Sequence, residues 1–290
     1  MLVVQQFVTH VVAGVGISLV GDFTAPPVGV VAQCAEAPVI TVELTAERVR
    51  GPLRPSLLPV VERDSWVAFN DGERIQLCIK DTGRTPTEAM RVELVRGELV
   101  GRYLYDHDWP YPFQHPIDQL LVIHALGVGG GALTHAAAIA GRDGALLVAG
   151  PSGAGKTTMS RATAALGAHV LSDERTIVRP RANASDGGGW LVGGTPWPGE
   201  GGFAENRSVP LRELILLEQA PHDELVPLSP ARALALLYRC HFPPLWDAPA
   251  SERTMASLER LVREVPAFLF RNQKGPAAAE RLLARVGGPE

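Results

Sequence analysis

Cysteine is scarce in this 290-residue chain, with only Cys34, Cys78 and Cys240, an odd number set far apart. Neither a disulfide framework nor a thiolate metal site can be built on that spacing, which leaves three ordinary thiols in a reducing cytoplasm. An excess of basic charge is also missing. A formal net charge of −4 gives no support for bulk binding to nucleic acid or to an anionic membrane surface, and neither is expected as a partner. No apolar run is long and unbroken enough for a membrane span. The apolar first twenty residues have no Lys or Arg ahead of them and are interrupted by Gln5, Gln6 and His10, so the plan of a signal peptide is absent. The β-branched pattern from Val3 to Val20 instead predicts one or two strands in a cytoplasmic protein. There is no internal repeat, and Gly187–Gly194 is the one stretch of low complexity.

The rest has the balance of a folded protein. With 46% hydrophobic and 20% charged residues, the chain can bury one large domain or two modest ones. Up to about Tyr105, short Val-rich runs (Val39–Leu44, Trp66–Asn70, Ile75–Ile79, Arg91–Val95, Glu98–Tyr103) are separated by turn clusters such as Asn70-Asp71-Gly72. That pattern predicts a mainly β domain over residues 1–110, with loops at Ala25–Pro38 and Gly51–Pro59. The proline-rich connector Asp106–Pro116 marks the boundary. Over 111–290 strand and helix signals alternate, which predicts an α/β domain. Helices are expected at Pro116–Leu126, Lys156–Leu166, Ser229–Cys240, Glu252–Val265 and Pro276–Val286. Strands are expected at Ala145–Ala149, His169–Leu171 and Leu214–Leu217, and Gly127–Gly131 reads as a turn.

Ala145–Ala149 runs into Gly150-Pro151-Ser152-Gly153-Ala154-Gly155-Lys156-Thr157-Thr158, which fits GxxxxGK(S/T) at every fixed position. The glycines let the backbone wrap an anion with several N–H groups turned inward. The loop opens a helix whose unpaired donors and dipole favour phosphate. Lys156 suits the β- and γ-phosphates, and the Thr157 hydroxyl suits Mg²⁺. All nine residues are candidate ATP ligands.

Seventeen residues after Lys156, the strand His169–Leu171 ends in Ser172-Asp173-Glu174. Two acids at a strand end beside the loop can hold Mg²⁺ and accept a proton from an attacking hydroxyl. Asp173 and Glu174 are therefore candidate metal ligands with Thr157, and Asp173 is the candidate base. Gly193–Gly202, carrying Trp197 and Glu200, reads either as a mobile lid over nucleotide or substrate or as a surface loop with a packed tryptophan.

With Leu133-Thr-His-Ala-Ala-Ala-Ile-Ala-Gly141, the loop and Leu171–Glu174 in view, the segment Pro116–Cys240 resembles the HPr kinase/phosphorylase and ATP-dependent phosphoenolpyruvate carboxykinase superfamily. The overall look is similar to the HPr-kinase-like serine kinases of bacteria. The resemblance implies a P-loop kinase domain of α/β (α+β) type behind the smaller β domain, and Mg²⁺·ATP-dependent phosphoryl transfer. It also implies that His135 lies near metal and phosphate. By the segment Ala204–Leu211 it implies that Arg207 meets the γ-phosphate in the transition state. The arginine- and glycine-rich signature of HPr kinases is absent, and so is an oxaloacetate-binding set. The expected function is a kinase acting on a serine or threonine of a peptide or protein, with ATP and Mg²⁺ as cofactors. A nucleotide-sensing module without transfer, a small-molecule kinase and a homo-oligomeric state stay open.

Overall fold

The computed structural model describes residues 6–21, 37–49, 58–80, 90–105, 115–181, 188–273 and 275–289. Cys34, most of the expected loops Ala25–Pro38 and Gly51–Pro59, and most of the connector Asp106–Pro116 with the 110/111 boundary lie outside them.

Among the described residues the first sheet has eight strands: β1 (Gln6–Val12), β2 (Val15–Gly21), β3 (Ile40–Arg48), β4 (Pro59–Glu62), β5 (Trp66–Asn70), β6 (Arg74–Ile79), β7 (Met90–Val95) and β8 (Val100–Tyr105). Their order is β1-β2-β3-β8-β7-β6-β5-β4, antiparallel apart from the β2–β3 and β3–β8 pairs. Strand β8 starts two residues later than expected, because Gly97 (φ +76°) makes the β7–β8 turn and Glu98 N–H bonds the Val95 carbonyl. Pro59, expected in a loop, opens β4 at the sheet edge, where a missing N–H costs no ladder bond.

Helix α1 (Ile117–Gly129) follows. It was expected to stop at Leu126, yet Gly127 and Gly129 are helical. A Cβ on Gly127 would sit 2.9 Å from Pro244 and 3.0 Å from Ala250, and one on Gly129 would sit 2.9 Å from Ile40. These glycines serve close packing, and the turn is left to Gly130 and Gly131, both with positive φ. Ile117, Leu120, Leu121 and Leu126 share one apolar cluster with Leu19, Val42, Leu44 and Leu77 of the first sheet and with Leu133, Ile177 and Trp246 beyond it. Each such side chain contributes about 1.5–3 kcal/mol by burial.

The second sheet contains β9 (Ala132–Gly141), β10 (Gly144–Ala149), β11 (His169–Ser172), β12 (Arg175–Pro180), β13 (Trp190–Gly194), β14 (Ser208–Gln219), β15 (Glu224–Pro227), β16 (His241–Phe242) and β17 (Ala267–Asn272). Its main path is β10-β9-β12-β13-β14-β17-β15, with β11 and β16 on β9 and a further parallel pairing of β10 with β14. Helices α2 (Lys156–Ala165) and α5 (Pro276–Ala284) pack with the odd positions Ala137 and Ile139 of β9; α3 (Pro230–Tyr238) and α4 (Ala248–Glu264) pack with the even positions Ala136, Ala138 and Ala140. Burial on both faces explains why β9 lacks a polar alternation. The glycine-rich run after Gly187 is not all loop, since Trp190–Gly194 forms β13. No side chain fits at its last two positions: a Cβ on Gly193 would lie 2.4 Å from that of Ala13, and one on Gly194 would lie 2.2 Å from the Glu205 carbonyl. Among the described residues, no helix is long and apolar enough to cross a membrane.

The β1–β2 turn joins the two sheets. Ala13 N–H donates to Asn206 Oδ1 at 2.9 Å, Asn206 Nδ2 donates to the Val11 carbonyl at 2.8 Å, and Arg179 Nε donates to the Ala13 carbonyl at 3.0 Å. Gly14 (φ +81°) has the Arg179 guanidinium where a side chain would stand, 2.4 Å away. His10 in β1 is 3% exposed, and burial lowers its pKa from 6.5 to about 4. Above pH 6.5 the ring is neutral whether the chain is folded or not. As pH falls from 6.5 through 4 the unfolded chain takes up a proton that the folded chain refuses, so stability is lost. That loss is on the order of 3 kcal/mol at full extent. Denaturant titrations at pH 7.5 and pH 4.5 are expected to show the drop, and His10→Gln is expected to reduce it.

Candidate functional site

Strand β9 brings the site together. It pairs with β10 so that Ala149 faces Ala136, and with β11 so that Ser172 faces Ala138. Ala149 leads into the phosphate loop and Ser172 leads into the acid pair, so two segments distant in sequence emerge beside each other. His135 is the next residue of β9. His135, Ser152, Gly153, Gly155, Lys156, Thr157, Thr158, Asp173, Glu174 and Glu200 line one cavity of about 350 Å³. Gly150, Pro151 and Ala154 instead line a second cavity of about 590 Å³, shared with Ser152 and Gly153 and walled by Leu216, Leu217, Leu236 and Leu269.

The loop has the backbone an anion site needs. Gly153 (φ +79°) has open space where a Cβ would be, and Gly155 (φ +107°) opens α2 from the left-handed region. No side chain caps α2 and no acid occupies its first turn, so its N–H groups are not claimed by a carboxylate. Gly150 is held by proximity: a Cβ there would meet that of Ala154 at 2.9 Å. Lys156 is 6% exposed, and its ammonium donates to the Gly150 and Pro151 carbonyls at 2.8 and 3.2 Å. Burial pulls its pKa down, partly offset by Cys240 and Glu174.

The acids differ in setting. Asp173 is 2% exposed; its Oδ1 accepts from Gly199 N–H at 3.2 Å and its Oδ2 from Gly201 N–H at 2.7 Å. Glu174 is partly exposed and pairs with Arg175 Nη1 at 2.7 Å. Thr157, Glu174 and Asp173 offer hard oxygens suited to Mg²⁺. Among the described residues, no group of three or more His, Cys, Asp or Glu side chains can hold a metal by itself. The donor set fits a Mg²⁺ that also takes phosphate oxygens. The His135 pKa is lowered, first by burial and then by the Lys156 charge, while Glu174 and a hydrogen bond with its backbone oppose the shift.

Arg207 is not among the residues lining either cavity. It precedes β14, its Nε is 2.5 Å from Glu205 Oε1, and its carbonyl accepts from Gly194 N–H. The remaining sequence-derived candidates come together. Sequence reasoning named the loop Gly193–Gly202 without tying its Gly199 and Gly201 to Asp173, and it left out Arg161, which donates to the Glu200 carbonyl at 2.7 Å. Spacing in the Gly199-Glu-Gly-Gly run was the available signal; nothing in the sequence tied it to Asp173.

The family model for the SynChlorMet cassette protein ScmC matches residues 117–273, just over half of the chain. The chain belongs to the SynChlorMet cassette protein ScmC family. None of the curated proteins matches it. The family match corrects the assignment to the HPr kinase/phosphorylase and carboxykinase superfamily. The motifs behind that assignment are short, so they do not separate one family from another. The geometry of His135 yields a prediction. Its ring is expected to titrate below 6.5 and to stay neutral at pH 7, and Lys156→Met is expected to raise that midpoint, both read from ring ¹⁵N shifts by NMR.

Proposed function

We propose that this protein transfers the γ-phosphoryl group of ATP to a serine or threonine hydroxyl of a peptide or protein, through a phosphate-loop kinase domain. The observation that carries the reading is that an uncapped phosphate loop and a carboxylate pair line the same cavity.

Lys156 and the loop N–H groups would hold the triphosphate, with Lys156 exchanging its loop carbonyls for phosphate oxygens. The leucine-walled cavity beside Pro151 and Ser152 offers apolar walls for the nucleoside. Thr157 and Glu174 would hold Mg²⁺, which when bound supplies charge neutralisation across the phosphates. Asp173 would accept the proton of the acceptor hydroxyl, its orientation fixed by two backbone amides. Neutral His135, bonded to the Glu174 backbone, would help hold the acid pair in place without adding charge. Arg207 would have to turn from Glu205 to meet a γ-phosphate. A nucleotide sensor needs the loop but not a buried carboxylate beside it, so Asp173 favours transfer.

Two substitutions test this with Mg²⁺ and γ-labelled ATP. Lys156→Ala is expected to weaken ATP binding roughly 10–100-fold, the worth of a charge-assisted hydrogen bond. Asp173→Asn is expected to leave ATP binding intact while lowering transfer into a peptide fraction by about 10²–10⁴-fold. Full transfer by Asp173→Asn would remove Asp173 from its role, and ATP binding without transfer by the unmodified protein would favour the sensor.

A further inference from the structure

The segment Thr195–Gly202 is tied down at both ends and in between. Thr195 Oγ1 donates to the Arg175 carbonyl at 2.8 Å. Trp197 Nε1 donates to Asp118 Oδ2 at 2.7 Å, and Asp118, in the first turn of α1, is 5% exposed. Gly199 and Gly201 then give their N–H groups to the two oxygens of Asp173, and Arg161 of α2 holds the Glu200 carbonyl between them. The fit around Asp173 leaves no slack. A Cβ on Gly201 would lie 2.4 Å from Asp173 Oδ2, and one on Gly199 would lie 2.7 Å from Glu174 Cβ.

Trp197 and Gly201 are four positions apart on one short stretch that contains Pro198. Proline fixes its own φ and restricts the residue before it, so Trp197 and Gly199 are stiffly linked. The Gly202 N–H bond to the Gly199 carbonyl at 3.1 Å closes the turn that follows, so the strap has few ways to absorb a displacement at the indole. The Trp197 ring also packs against the apolar cluster that contains α1, which gives the indole a fixed seat.

We infer that Asp118 and Trp197 are positioning residues for Asp173: the hydrogen bond from Trp197 to the buried Asp118 sets the strap Thr195–Gly202, and the strap amides orient the carboxylate for phosphoryl transfer. The transfer part rests on the kinase reading; the coupling along the strap does not. Asp118 lies on α1 and lines neither cavity beside the loop, so it acts through the strap and not on the substrate.

Trp197→Phe keeps the ring in its seat and removes the donor, and Gly201→Ala perturbs the strap at its other end. Amide exchange over residues 195–202, followed by mass spectrometry with melting temperature as a control on folding, reads the coupling directly. Exchange in Trp197→Phe is expected to be roughly tenfold faster, as for a segment whose local opening has become cheaper. Exchange as slow as in the unmodified protein would overturn the inference. Turnover is read as hydrolysis of Mg²⁺·ATP with water as acceptor. For both variants kcat is expected to fall about tenfold with KM for ATP unchanged, since an interaction felt only in the transition state has been lost. Faster exchange with undiminished kcat would overturn the positioning role. If the unmodified protein binds no Mg²⁺·ATP, the kinase reading fails, and the exchange result still decides whether Asp118 holds the strap.

Discussion

The backbone ladder of β9 sets the distance between the phosphate loop and the carboxylate pair. Hydrogen-bonded strands lie about 4.8 Å apart, so two strands flanking a third emerge about 10 Å apart. That separation leaves open the cavity lined by the loop and the acids. The spacing holds only while β9 stays in register with both neighbours, and register is fixed by which side chains must be inside. Ala136, Ala138 and Ala140 face one helical layer and Ala137 and Ile139 the other, all with no exposure. Alanine at four of these five positions lets the helices on both faces approach β9 closely. The site geometry is thus a consequence of packing in a strand that carries one of its residues, His135.

Charge is handled in the same spirit. Lys156 and Asp173 are both buried, and a buried charge without partners is costly. Each is met by backbone groups: two carbonyls at Lys156 and two amides at Asp173. Backbone partners do not titrate, and those at Asp173 belong to a segment fastened elsewhere. The partly exposed Glu174 and Glu205 instead pair with arginines and remain adaptable.

Much of this was legible in the sequence because local rules dominate it. The loop strand Ala145–Ala149, helix α2 and the short strand ahead of Ser172 follow from periodicity and from glycine placement. Five of the strands in the first sheet follow from Val-rich runs between turn signals. What stayed hidden depends on partners far along the chain. Gly127 and Gly129 read as a turn because nothing local reveals Pro244, Ala250 and Ile40 pressing on the helix. Gly193 and Gly194 read as low complexity, although Ala13 and Glu205 dictate them. Strand β17 was missed as an independent element, its partner β14 lying some fifty residues away in the chain. The family assignment failed for the opposite reason, since short phosphate-binding motifs are too strongly dictated by chemistry to record ancestry.

The turn at Ala13 and Gly14 bears on modularity. Asn206 takes a hydrogen bond from Ala13 in the turn and gives one to Val11 of β1, as a neighbouring strand would, and Arg179 reaches across to the same turn. A chain cut between the two sheets would leave a side-chain amide shaped for a backbone that is no longer there, one residue from Arg207. The half that carries the phosphate loop is for this reason a poor unit for exchange between proteins, and recombination would be tolerated only where both sheets travel together.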